Sequence, residues 1–179
     1  HWEIVEAFAK SYVKRGRNMI YTPLLTPALN VLPPFERTPS QLVDVTVENG
    51  TLLITKAFEG IESKNASVRI AGGRVVVHAT NDGVNGVSLI SVEGGSLHVV
   101  SGGDGLDSGG NIRFVGGSTV ICGSPSNAYA PMDVPEGSEI LTDGGFVLAY
   151  GSLNAVQFPS QSSAQPFLAA TVSMKQGTV

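Results

Sequence analysis

The residues able to do chemistry in this chain are carboxylates that recur at a fixed spacing. Glu59-Gly60-Ile61-Glu62, Asp82-Gly83-Val84-Asn85 and Asp104-Gly105-Leu106-Asp107 begin 23 and 22 residues apart. Each run has an acid, a glycine, an apolar residue and a second side chain bearing oxygen. If the runs stack as neighbouring strands, their acids lie about 4.8 Å apart. At an effective dielectric of about 20, two such charges repel by roughly 3–4 kcal/mol. A hard cation removes that repulsion, and calcium accepts carboxylate, amide and carbonyl oxygens in irregular geometry. Glu59, Glu62, Asp82, Asn85, Asp104 and Asp107 are therefore candidate calcium ligands, with Asp82, Asn85, Asp104 and Asp107 the best placed.

Two other readings stand beside calcium. Asp-Gly and Glu-Gly pairs are ordinary turn chemistry, because Asp and Asn tolerate turn conformations. Paired carboxylates also do acid–base work on glycosidic bonds. Acids that repeat from unit to unit suit architecture better than a unique catalytic pair. No Ser-His-Asp or Cys-His arrangement, phosphate loop or zinc spacing is present, so a non-catalytic protein is expected. His78, His98, Arg69 and Arg113 fall at outward offsets of the repeat. They read either as a solvated face or as contacts to an acidic sugar.

The elements that must position these residues are short strands. A small-residue turn recurs at Asn49-Gly50, Gly72-Gly73, Gly94-Gly95, Gly116-Gly117 and Gly144-Gly145, with first residues 23, 22, 22 and 28 apart. Before each turn, alternate apolar residues form one column, such as Val45/Val47, Val68/Ile70, Ile90/Val92 and Ile112/Phe114. After each turn, Leu52/Ile54, Val75/Val77, Leu97/Val99 and Thr119/Ile121 form another. A period of two rich in β-branched residues marks strands with one buried face. A fixed period near 22 marks a repeat architecture whose units bury nothing alone and a core when stacked. The expected fold is all-β, a right-handed parallel β-helix of roughly five coils, each with two strands and a glycine corner.

Three segments are expected. Residues 1–41 hold an amphipathic helix over 3–15 and a Pro-rich, apolar extended arm that lies along a groove in cis or in trans. Residues 42–152 form the solenoid. Residues 153–179 lose the period, with a polar loop and then a strand over 166–174 packing on the far end, which lacks a clear cap. The chain begins at His1, which reads as a processed product. Its net charge of −4 argues against nucleic acid or an anionic membrane as partner. Nothing approaches the ~18 consecutive apolar residues of a membrane span. One cysteine, Cys122, leaves no internal disulfide.

The runs Phe58-Glu59-Gly60-Ile61-Glu62-Ser63-Lys64, Asn81-Asp82-Gly83-Val84-Asn85 and Gly103-Asp104-Gly105-Leu106-Asp107-Ser108 resemble a known family. So do Gly116-Gly117-Ser118-Thr119-Val120-Ile121, Pro131-Met132-Asp133 and Ala149-Tyr150-Gly151-Ser152. The family is the secreted carbohydrate-binding β-helix domain of bacteria and archaea. It is found at the C-terminus of spore-coat-kinase-like proteins and in clostridial surface proteins. The resemblance covers about residues 55–179. It implies a calcium-binding parallel β-helix, distantly similar to pectate lyases, that binds plant or acidic polysaccharides at the cell surface without cleaving them. Asn81-Asp82 departs from the family's more usual acidic pair. The competing expectation is a structural subunit of a surface filament, a homo-polymer whose solenoids stack end to end and whose N-terminal arms lock neighbours.

Overall fold

The computed structural model describes residues 44–172. The expected N-terminal helix and arm lie outside these residues. The described chain is a parallel β-solenoid of about four turns with a repeat near 22 residues, and the described part contains no helix.

Each full turn has three strands rather than the two expected. The first turn is β1 (Val45–Val47), β2 (Thr51–Ala57) and β3 (Ile61–Ser63). The second is β4 (Ser67–Ile70), β5 (Arg74–Ala79) and β6 (Val84–Gly86). The third is β7 (Leu89–Val92), β8 (Ser96–Ser101) and β9 (Leu106–Ser108). The fourth is β10 (Asn111–Phe114), β11 (Ser118–Cys122) and β12 (Met132–Asp133). A partial fifth turn has only β13 (Ile140–Thr142) and β14 (Phe146–Tyr150). Strands one turn apart pair in parallel and build three sheets, ordered β1-β4-β7-β10-β13, β2-β5-β8-β11-β14 and β3-β6-β9-β12.

Exact register turns the apolar alternation into a core. Val45, Val68, Ile90, Ile112 and Ile140 stand in one column of the first sheet. Ile54, Val77, Val99, Ile121 and Ala149 stand in one column of the second. Ile61, Val84, Leu106 and Met132 fill the third. Nearly all are fully buried, and they form one continuous cluster along the solenoid axis. Stacked apolar faces of this kind supply the burial that no single turn has.

The glycine corner joins the first sheet to the second. Gly50, Gly73, Gly95, Gly117 and Gly145 all have φ between 73° and 89°, the left-handed region that side chains disfavour. Sterics add to this constraint. A Cβ on Gly95 would lie 2.3 Å from the Gly73 carbonyl oxygen, so the corner has room only for bare backbone.

The end of the solenoid departs from expectation. Residues 166–172, the described part of the expected C-terminal strand, form no strand and are exposed. The preceding loop supplies the cap instead. Ser160 N–H donates to the Ile140 carbonyl and Gln165 N–H to the Thr142 carbonyl. Gln157 accepts from Val134 N–H at 3.2 Å and donates to the Asp133 carboxylate. β12 and β13 are thus covered by the loop.

Gly137 separates the two costs at the corner. It also has positive φ, 86°, but nothing lies within 4 Å of where its Cβ would be. Gly137→Ala should cost about 1–2 kcal/mol, the strain of a left-handed residue. Gly95→Ala should cost that plus a backbone displacement, together on the order of 3 kcal/mol or more. Denaturant midpoints of the two variants measure the difference, and equal losses would show that the stacked corner is not sterically closed.

Candidate functional site

The structure stacks the acid-bearing runs as their spacing predicts. Glu62, Asn85, Asp107 and Asp133 stand in one column on the outer face of the third sheet. The apolar residue of each run, Ile61, Val84 or Leu106, is completely buried and anchors the corner beneath. The intervening glycine is sterically required. A Cβ on Gly83 would lie 2.1 Å from Val99 Cγ1 and 2.6 Å from the Gly105 carbonyl oxygen.

The leading acids form a second column with a structural task. Glu59 Oε2 accepts from Asp82 N–H at 3.2 Å. Asp82 Oδ1 accepts from Asp104 N–H at 2.8 Å, and Asp104 Oδ1 from Ala130 N–H at 2.6 Å. Each carboxylate therefore caps a backbone donor of the next turn. The ladder stops at the fourth turn, where Ala130-Pro131 stands in place of Asp-Gly. Asn81 adds a bond to Glu59 Oε1 at 2.7 Å, and Asn85 donates to Asp107 Oδ2 at 2.6 Å. These bonds run between turns rather than within one, so the acids have a structural task distinct from local turn conformation.

The same columns are electrostatically strained. Burial first, then neighbouring acids, push Asp104 and Asp107 up to about 6. Asp82 and Glu59 are also raised, chiefly by burial. Asp133 contributes to the upward push on Asp82, Asp104 and Asp107. It was not among the candidate ligands, because the longer fourth turn hides its register in the sequence. Its signal was the Pro131-Met132-Asp133 run, which matches Gly105-Leu106-Asp107 with proline in place of glycine.

These oxygens have the donor chemistry that calcium takes. Their placement is looser than a finished site. Among the described residues, no three His, Cys, Asp or Glu side chains converge as a metal cluster.

The other four candidates do not form one surface. Arg69 and Arg113 lie on the first sheet, in register with Ser91 between them. Both are exposed and already paired. Arg69 Nε donates to Glu93 Oε1 at 2.7 Å, and Arg113 Nε to Asp143 Oδ2 at 2.7 Å. Each partner acid sits immediately before the glycine corner of a following turn. His78 and His98 lie on the outer face of the second sheet. Their register partners are Val100 and Val76, so the rings meet diagonally, with centroids 6.4 Å apart at 77°.

The raised carboxylates set the pH dependence of the metal-free protein. Asp104 and Asp107 hold protons more tightly when folded than an ordinary aspartate, which titrates near 3.8. Their contribution to stability is then full below pH ~4 and is lost as pH rises through about 6. Thermal melts in chelator should fall across that window. Asp107→Asn should flatten the fall and stabilise the protein at pH 7 by about 1 kcal/mol, the shift being discounted for the half-exposed side chain. A melt that rises from pH 4 to 7 would contradict the assignment.

No curated protein and no solved structure matches the chain. A family model does match, described as carbohydrate-binding domain-containing protein, and it covers residues 43–170, which is the whole solenoid with its C-terminal cap. With its stacked turns, acidic columns and capped end inside that match, the chain belongs to the carbohydrate-binding domain family.

Proposed function

We propose that this protein is a non-catalytic, extracellular module that binds an acidic polysaccharide at the cell surface and is stabilised by calcium. Family membership over residues 43–170 is the observation that carries the reading. Two features of the site support the finer parts. The desolvated acids of the two neighbouring columns, Asp82 and Asp104 in one and Asp107 in the other, repel one another and Asp133, and gain from a divalent cation. Asp82, Asn85, Asp104 and Asp107 would hold it, with Glu59 and Glu62 at the N-terminal end of the columns. The cation would neutralise stacked charge and offer free coordination positions to glycan carboxylates.

Glycan contact is assigned to two outward faces. The edge-to-face His78–His98 pair presents rings and polar nitrogens on the second sheet. Arg69 and Arg113 present guanidinium groups on the first, with Glu93 and Asp143 holding them in place. Because those acids neutralise the arginines, bidentate hydrogen bonding rather than net charge would be their contribution.

Calcium at about tenfold its dissociation constant should stabilise the protein by about 1.4 kcal/mol per site, read as a raised melting temperature. The double variant Asp104→Asn with Asp107→Asn should abolish that response. Polygalacturonate should bind the intact chain in calcium and be released by chelator, and His98→Ala with Arg113→Ala should weaken binding. If the polymer binds equally well in chelator, the calcium half of the reading fails. If no uronic-acid or neutral glycan binds under either condition, the carbohydrate half fails.

A further inference from the structure

Among the described residues, one strand at the C-terminal end remains open. β14 pairs with β11 and is the last strand of its sheet among the described residues. Phe146 N–H donates to the Gly117 carbonyl, and the Tyr150 carbonyl accepts from Gly123 N–H, both on the β11 side. By strand alternation the N–H and C=O groups of Val147 and Ala149 face the open side. Phe146, Leu148 and Tyr150 are 57%, 48% and 48% exposed. An edge is ordinarily protected by charge, proline or a bulge. β14 reads Phe-Val-Leu-Ala-Tyr and pairs in unbroken register, so it has none of these.

The chain holds a segment that matches this edge but does not reach it. The bond from Gln165 N–H to the Thr142 carbonyl sets Gln165 over Asp143. In that register Pro166 falls over Gly144, Phe167 over Gly145, and residues 168–172 over β14. Ala169 and Thr171 would then continue the small inward column of Val147 and Ala149. The corner forbids it. Gly145 has φ 82°, which Phe167 adopts only under strain, and Pro166 has no N–H to repeat the bond from Gly144 N–H to the Phe114 carbonyl. A Cβ at Gly144 already would lie 2.1 Å from the Val115 carbonyl oxygen of the turn beneath. Phe167 stacks on Phe158 instead, with centroids 6.0 Å apart, and Leu168 is left 93% exposed.

We infer that the open β14 edge is a docking site for residues 168–172 of a second copy of this chain. The incoming segment is uncharged and five residues long, as is the edge that receives it, and it ends in the strand formers Thr171 and Val172. In trans it needs no corner, so Pro166 and Phe167 no longer stand in the way. Edge and segment lie at the same end of the solenoid, so two copies can exchange segments and satisfy both edges at once. That is a closed, isologous arrangement formed by strand addition. The caps over β12 and β13 limit the contact to this one strand.

Sedimentation of the intact chain over a wide concentration range tests the inference. The expected result is reversible association to twice the monomer mass. Ala170→Pro with Thr171→Pro removes both alternation phases of the segment's donors at exposed positions, and should weaken the dimer by about tenfold or more. Pro166→Gly with Phe167→Gly restores the glycine corner, lets the segment close on its own β14, and should give a folded monomer. An intact chain that stays monomeric at every concentration overturns the inference. So does a dimer that survives either double variant, once circular dichroism shows that the variant is folded.

Discussion

Turns of this solenoid stack at backbone distance, about 4.8 Å, and everything else follows from that spacing. It leaves no volume at the corners for a side chain. An added Cβ on Gly73, Gly95, Gly117 or Gly145 would meet the preceding turn at less than 3 Å, and one on Gly60, Gly83 or Gly105 the following turn. It also places like residues above like. In the interior this is favourable, because Ile, Val and Leu columns bury one another continuously. On the outside it brings equal charges together, and the protein must offset them.

The two kinds of charged column are handled differently. On the first sheet each arginine takes an acid from a following corner, so the pairs Arg69–Glu93 and Arg113–Asp143 neutralise themselves. On the third sheet, among the described residues, no base stands among the acids apart from Lys64 at the N-terminal end beside Glu62. There the carboxylates accept backbone N–H groups of the next turn, which stabilises their charged form. Desolvation still wins, and Asp104 and Asp107 titrate near 6. Pairing is local and complete on one face and partial on the other. The acidic columns are therefore the part of the surface with residual electrostatic demand, and the place where a cation changes the energy most.

Much of this was legible in the chain itself. The 22-residue period, the apolar columns and the stacking of Asp82 on Asp104 and of Asn85 on Asp107 all follow from spacing, because parallel register preserves offset. The third strand was not seen, since Ile61–Ser63 and its equivalents are three residues long and read as the tail of a turn motif. Two alternating positions are too few to show a period. The partners of Arg69 and Arg113 were missed because they are 24 and 30 residues away, on a different offset of the repeat. The placement of arginines and histidines on different sheets was missed for the same reason as the third strand. Without all the corners, outward offsets cannot be assigned to faces.

The ends of a solenoid are where its regularity must be broken, and here the break is chemical. Turns continue wherever the corner pair is Asn-Gly or Gly-Gly. At the sixth corner the register offers Pro166-Phe167, and the chain leaves the stack. The loop before it has already covered the first and third sheets with side-chain and backbone bonds from Gln157, Ser160, Ser163 and Gln165. Among the described residues the second sheet is uncovered, because its covering strand would have to pass a corner without glycine. A solenoid whose turns continued past Gly145 would present a new edge identical in kind to the last. Two residues that cannot make the turn end the stack, and among the described residues they leave one apolar strand exposed beside an uncharged segment of matching length.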